Sequence, residues 1–432
     1  MKRIKMRKLA LSTLLLVFAV TPCWAVEGDN QTLAEEVRLL KDKTGEIDSL
    51  KNRLNELESQ LAAGTDVKNE SDSQGPKLSG AIRFNYNLDD FSDSDKDKGG
   101  DLKFDLFRLG VAGAYQKITY SAEYRWNSYQ DFVHHAYIEY PVSDTLGIQF
   151  GITQVPFGNL AYDYHNFWGG IPYYVGLDDD YDMGLKMIKK AGPWDLQLAF
   201  FKNDEWGSAS KLERYSYDVV TAGEVVDADD VVTAPEQTNE ETNQVNARLA
   251  YTAEHGDLGK TEVGFSGEWG QLYNNTTTDK GDHWAAAAHL NGNYGPFNLL
   301  LQVAEYQYNP KNPAGDDKSV RMGGFSDSFL VASEGTLYSA GLSYNLPVSW
   351  GPVTSLTFYE DYSRLVKKEN SFKDSQINTV GCMVTAGPIY TYFDVISGKN
   401  ALYLGGPQDS FAGGDKGADW GTKFNVNIGY YF

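Results

Sequence analysis

From Leu78 to Phe432 the chain alternates apolar and polar residues with a period of two, in segments separated by turn-forming stretches. The first segment sets Leu78, Ile82, Phe84, Tyr86 and Leu88 on one face and Ser79, Arg83, Asn85 and Asn87 on the other. Ile118, Tyr120, Ala122, Tyr124 and Trp126 repeat the pattern against Thr119, Ser121, Glu123, Arg125 and Asn127. The final segment places Phe424, Val426, Ile428, Tyr430 and Phe432 against Lys423, Asn425, Asn427 and Tyr431. One face suits hydrocarbon and the other suits water.

The pattern predicts sixteen strands, at 78–90, 102–115, 117–127, 131–141, 145–154, 181–190, 194–202, 243–253, 260–270, 283–294, 296–308, 336–347, 352–364, 376–386, 389–397 and 420–432. The second, eleventh and fifteenth change phase partway. Every even strand is followed by a short turn, such as Gly295-Pro296 or Gly387-Pro388, and every odd one but the third by a longer polar loop. A soluble β-sandwich also alternates. Aromatic girdles near the strand ends and a terminal strand closing on Phe432 favour an all-β, sixteen-stranded antiparallel transmembrane β-barrel. In lipid the last strand must then pair with the first. Gly at 43 residues, Tyr at 28 and aromatics at 13% fit that class better than a soluble α/β enzyme.

The N-terminus indicates export. Five basic residues, Lys2 to Lys8, precede an apolar run from Leu9 to Val20 and a cleavage site at Cys23-Trp24-Ala25, so residues 1–25 are read as a signal peptide. Its removal takes the formal charge from −21 to −26 and leaves Cys382 as the one cysteine, among outward-facing apolar positions. Within a periplasmic segment 26–62, a heptad helix carries Leu33, Leu40, Ile47, Leu54 and Leu61 at one seam position and Leu50 and Leu57 at the other, which predicts an α-helical coiled coil; an amphipathic helix on the barrel rim is the alternative. Residues 63–77 form a polar linker and 78–432 the barrel.

Sixteen strands enclose a lumen too wide for side chains to fill, so an inward-folded loop is expected to narrow a water channel. The third external loop, residues 155–180, is the candidate. It holds Phe157, Tyr162, Tyr164, Phe167, Trp168, Tyr173 and Tyr174, seven aromatics that solvent would not favour, with Asp163, His165 and the run Asp178-Asp179-Asp180. That run lacks the spaced ligands of a calcium loop and reads as a solvated acidic tip, with no metal expected. The loop could alternatively latch onto a neighbouring subunit or plug the mouth.

By alternation the inward bases are Arg83, Arg108, Arg125, Lys186, Arg248 and Lys423, against the acids Glu123, Glu139, Asp182, Asp195, Glu262, Glu268 and Asp361. This is a mixed-charge lumen. The external loops are acidic: 203–242 carries eleven acids against two bases, and 89–101 six against two. Weak cation preference or passage of neutral solutes follows.

The AYIEYP stretch at 136–141, GITQVPFG at 151–158 and the terminal NVNIGYYF resemble the phosphate-selective porin O/P family of outer-membrane channels. That resemblance implies a homotrimer with passive, gradient-driven transport, and a C-terminal signal (Ile428, Tyr430, Phe432) like that read by the barrel-assembly machinery. It also implies a lysine-rich constriction in phosphate-selective members. Here the third loop has no Lys or Arg, and Gln154 stands where such a Lys is common, so phosphate is the minority expectation. Lipid, lipopolysaccharide and, through the coiled coil, peptidoglycan are the other expected partners.

No nucleophile, metal or cofactor motif surrounds the six histidines, and no haem-attachment sequence occurs, so no enzyme activity and no cofactor are expected. The strongly negative charge argues against nucleic acid. A barrel sheathing a partner protein, such as an electron-transfer cytochrome, is the alternative to a channel.

Overall fold

An alternating segment can turn its apolar face outward in lipid only if both of its edges are paired, because an open edge would leave N–H and C=O groups without partners. A computed structural model of the chain, describing residues 75–221, 225–226, 232–234, 237–313, 315 and 317–432, has this closure. Its first strands are β1 (Lys77–Asp89), β2 (Asp101–Tyr115), β3 (Ile118–Asn127), β4 (Asp131–Ser143), β5 (Leu146–Gln154), β6 (Tyr181–Ala191) and β7 (Trp194–Asp204). Short loop strands β8 (Asp218–Val219), β9 (Val225–Val226) and β10 (Val232–Ala234) precede β11 (Asn239–Glu254), β12 (Lys260–Asn274), β13 (Lys280–Tyr294) and β14 (Phe297–Asn309). A second loop pair, β15 (Ser319–Gly324) and β16 (Asp327–Ala332), leads to β17 (Glu334–Trp350), β18 (Val353–Lys367), β19 (Ser375–Ala386), β20 (Ile389–Lys399) and β21 (Gly421–Tyr431).

Sixteen of these form one closed antiparallel barrel, in which each strand pairs with the next and β21 returns to β1. All sixteen expected strands are present. The expected signal peptide, the coiled coil with its seam and residues 63–74 of the linker lie outside the described residues. Several strands run further at the long-loop end than the alternation indicated: β11 begins at Asn239, β12 continues to Asn274 and β13 starts at Lys280. In β11 and β13 the ladder continues there while both faces become polar, so the period fades before the hydrogen bonds do, whereas the end of β12 turns Leu272 into the packed interior.

The outward positions make an exposed apolar belt that includes Phe84, Phe150, Leu185, Phe200, Phe265, Leu301, Leu342 and Phe393. Such a belt fits hydrocarbon and not water. Cys382 pairs between Phe358 and Phe393 in this belt. Bulges break the alternation with consequence: Glu123 pairs with His135 but Tyr124 with Val133, so His134 is skipped and turns inward beside His135, and between β1 and β2 the skipped residue is Asp105, which meets Arg83.

Closure is tight at the C-terminus. Gly80 and Phe432 exchange both backbone hydrogen bonds, at 2.8 and 3.0 Å, and Ala81 to Asp89 pair in register with Tyr431 to Lys423. The Phe432 ring lies over Gly80, where an added Cβ would stand 2.5 Å from the ring and 2.7 Å from the Arg108 carbonyl oxygen. Ile428, Tyr430 and Phe432 all face outward and are exposed. Gly80→Val is therefore expected to cost about 1–3 kcal/mol by overpacking and, like deletion of Phe432, to lower the folded, heat-modifiable fraction seen by semi-native electrophoresis. Ser79→Ala should leave that fraction unchanged; equal behaviour of all three would remove the Gly80–Phe432 contact from the closure.

Candidate functional site

The third loop leaves β5 and returns to β6 through a neck in which Val155 donates to the Asp180 carbonyl at 2.8 Å. It then enters the lumen. Gly158, with φ of +57°, donates to Ser266 Oγ at 2.9 Å, and its carbonyl accepts from Arg248 Nε at 2.8 Å. The next amide, Asn159 N, donates to Gln302 Oε1 at 2.8 Å. A Cβ on Gly158 would stand 2.1 Å from that same Gln302 oxygen, so only glycine permits both the turn and the approach.

Further along, Asp361 of β18 receives four hydrogen bonds from the loop: His165 N at 2.7 Å, His165 Nδ1 at 2.7 Å, Asn166 N at 2.9 Å and Asn166 Nδ2 at 2.9 Å. His165 Nε2 reaches Asn298 Oδ1 at 2.7 Å, and Ile171 N donates to Ser363 Oγ at 3.0 Å. A one-turn helix, α1 (Ile171–Tyr174), is fully buried here. Tyr173 donates to the Tyr215 carbonyl and Tyr174 to that of Trp168, both at 3.1 Å. Phe157, Tyr173 and Tyr174 join a hydrophobic cluster with Val219 of β8, Val320 and Met322 of β15, Phe329 and Val331 of β16 and Phe411 of the last loop. Tyr162 is the exposed member of the seven aromatics, at 45%.

Several charges sit differently from their sequence assignment. Asp178, Asp179 and Asp180 are buried rather than a solvated tip, because the loop returns through the packed interior and not over its surface. Asp178 lies in hydrogen-bond contact with buried Asp163, and Asp179 accepts from the Tyr215 hydroxyl. Arg248, Asp361 and Glu268 point inward as expected but are covered: the first two hold the loop, and Glu268 accepts from Asn246 at 3.1 Å. Glu262 pairs with Arg248 at 2.5 Å, Lys186 donates to the Gln154 carbonyl at 2.8 Å, and Glu139 accepts from Gln149 at 2.8 Å. Asp195 stands 3.8 Å from Lys190, and Asp182 is buried.

Four bases gather on one wall. Arg83 of β1, Arg108 of β2 and Arg125 of β3 occupy neighbouring strands, with Arg108 and Arg125 directly paired in register, and Lys423 of β21 continues the row. Their partners are Asp105 (2.8 Å to Arg83), Glu123 (2.7 Å to Arg125, 3.3 Å to Arg108) and Asp89 (3.5 Å to Lys423). Each base also lies over an aromatic ring: Arg83 on Phe167, Arg125 on Tyr215, Lys423 on Trp168 and Arg108 on Tyr431. Arg83 and Arg125 line a cavity of about 520 Å³ between this wall and the loop, walled also by Tyr164, Phe167, Trp168 and Tyr403.

This is the fold of known outer-membrane channels. The chain is similar to the outer-membrane channel DcaP of Acinetobacter baumannii, at 14% identity over 85% of this chain and 99% of that one, with a TM-score of 0.53. It is also similar to an anion-selective porin from Comamonas acidovorans, at 14% identity over 83% and 99% of the two chains, with a TM-score of 0.51. No family model matches the chain, and no curated protein matches it in sequence.

The anchors Ser266, Asn298, Gln302 and Ser363 escaped sequence reasoning. They are four among many polar inward positions, and only contact with the loop sets them apart. The loop's own charges give its packing a pH dependence. Burial pushes Asp163 up to about 6 and Asp179 up to about 7, and raises Asp178 with help from the adjacent carboxyls. Groups raised in this way favour the packed loop while protonated, a contribution lost as pH climbs from about 4 to 7. His165 works in the same direction: burial opposes its imidazolium, but the hydrogen bond and charge of Asp361 outweigh this and raise its pKa, so its contribution also fades as pH rises through that value. Single-channel recordings should then be quieter at pH 5 than at pH 8. Asp361→Ala should be noisy at both, having lost about 3 kcal/mol or more of anchoring; unchanged traces would mean that the loop is held elsewhere.

Proposed function

We propose that this chain is an outer-membrane porin, a water-filled passive-diffusion channel for small hydrophilic solutes and ions. The third loop narrows it against the basic wall of β1–β3 and β21. The observation that carries this reading is the pairing of an apolar exterior with a polar lumen across which the loop is pinned at Asp361, Gln302 and Ser266. The long loops face the exterior and lipopolysaccharide, the termini lie in the periplasm, and transport needs neither catalysis nor a cofactor. Phe432 and its strand serve the barrel-assembly machinery.

The placement of charge favours anions or neutral solutes over the weak cation preference inferred from the acidic loops. Many inward acids are spent on the loop anchor or buried behind it, and on the wall Arg83, Arg108, Arg125 and Lys423 outnumber their partners Asp89, Asp105 and Glu123, although the cavity itself sets Arg83 and Arg125 beside Asp105 and Asp327. A phosphate-selective channel is a special case of this reading. A sheath around a partner protein is disfavoured because the loop already occupies the lumen. In planar bilayers the wild-type reversal potential under a salt gradient should show anion preference, and Arg83→Gln, Arg108→Gln and Arg125→Gln together should shift it toward cations. A reversal potential that the triple variant leaves unmoved would remove the basic wall from selectivity.

Three copies form the working unit in this proposal, with residues 26–62 as a three-helix coiled coil that holds the subunits in register and reaches toward peptidoglycan. Deleting residues 26–77 should lower the heat resistance of the trimer while conductance persists. Trimers of unchanged heat resistance would refute that role.

A further inference from the structure

We propose that Asp180, Asp182 and Asp218 form a calcium site that ties the end of the third loop to the fourth. Each offers a carboxylate oxygen, and these oxygens lie within 4.8 Å of one another. Two oxygens on one Ca²⁺, at bond lengths of about 2.3–2.6 Å, stand at most about 5.2 Å apart, so a single ion can bridge all three. The residues come from separate places: Asp180 closes the third loop, Asp182 is the second residue of β6, and Asp218 begins β8 in the fourth loop. An ion here would join a pore loop to the wall and to the three-stranded sheet of β8, β15 and β16.

The local charge is unbalanced. Asp204, Glu205, Glu241 and Glu268 surround the three aspartates, and among the described residues the base in their midst is Arg214. Its Nη1 meets Asp204 and Asp218 at 2.9 Å and Glu205 at 3.4 Å, which leaves Asp180, Asp182 and Glu241 without an ion pair among the described residues. Glu241 accepts from Val219 N at 3.2 Å, and Gln244 reaches one oxygen of Asp182 at 3.4 Å.

An independent observation points to a ligand. Asp182 is 2% exposed, and its Oδ1 is buried without any hydrogen-bond partner among the described residues. A buried carboxylate oxygen with neither donor nor cation is costly, so a hard cation bound at Asp182 resolves the charge and the missing partner together. An oxygen-only donor set suits calcium. Magnesium would demand a tighter octahedron and retain its water.

Terbium tests the site directly, since Tyr181, between Asp180 and Asp182 in the chain, can serve to sensitise its emission. The purified full-length barrel in detergent should bind one Tb³⁺ per chain, displaced by Ca²⁺ with a dissociation constant at or below about 1 mM, the loose end of extracellular calcium modules. Asp182→Asn, and separately Asp218→Asn in the loop, should weaken binding by at least the roughly 10–100-fold that outer-sphere changes alone produce. Asp93→Asn, in the first external loop, should change nothing. Displacement by Mg²⁺ as effective as by Ca²⁺, an equal effect of Asp93→Asn, or no saturable binding below about 1 mM would each overturn the site. Because Asp218 is outside the barrel strands, its variant keeps the test valid if Asp182→Asn fails to fold. Conductance measured on the same samples tests the channel separately.

Discussion

Ring closure of the sheet is the constraint from which everything else in this molecule follows. A flat sheet with an apolar face could bury that face against a second layer, but here the apolar face looks outward and only hydrocarbon can cover it. Hydrocarbon offers no hydrogen bonds, so both edges must find each other, and β1 meets β21 along nine residue pairs. The Gly80–Phe432 contact finishes this seam. Without it the polar residues of sixteen strands would share no common interior.

Closure creates a second problem, a lumen wider than its side chains, and the third loop answers it. Backbone amides entering a polar cavity need acceptors, and strands far away in sequence supply them: Ser266, Gln302, Asp361 and Ser363. The loop divides the interior into two electrostatic compartments. On the side of β1–β3 and β21, bases partnered by Asp89, Asp105 and Glu123 lie against aromatic rings. Behind the loop, near β6, β11 and β12, carboxylates crowd around Arg214. A lumen that is balanced in sum is thus divided in place, with the row of bases on one side of the loop and the crowd of buried carboxylates on the other.

The barrel was legible because period-two alternation is a local property. Leu78, Ile82 and Phe84 against Ser79, Arg83 and Asn85 can be read without knowing any neighbour, and the strand number follows from repetition. The sequence was a poorer guide where alternation stops carrying information. The upper ends of β11 and β13 are polar on both faces, the bulge at His134 turns two successive histidines inward, and β15 and β16 sit in a loop that shows no long apolar period. The seven aromatics of the third loop signalled packing, and most of them are covered. The three adjacent aspartates misled, because in an external loop a run of acids ordinarily means water.

What the sequence determined by itself is the class of solvent on each face and the number of strands, since both depend on residues two apart in the chain. What only the tertiary structure decided is which inward charges remain available: Arg83 and Arg125 at the cavity, Arg248 and Asp361 consumed by the loop, and Asp180, Asp182 and Asp218 brought together from three elements. The physical reason is distance along the chain. A charge's neighbours in space come from segments hundreds of residues away, as with His165 and Asp361, 196 residues apart, or Asp89 and Lys423, and no local pattern encodes which of many equivalent polar positions a folded loop will touch.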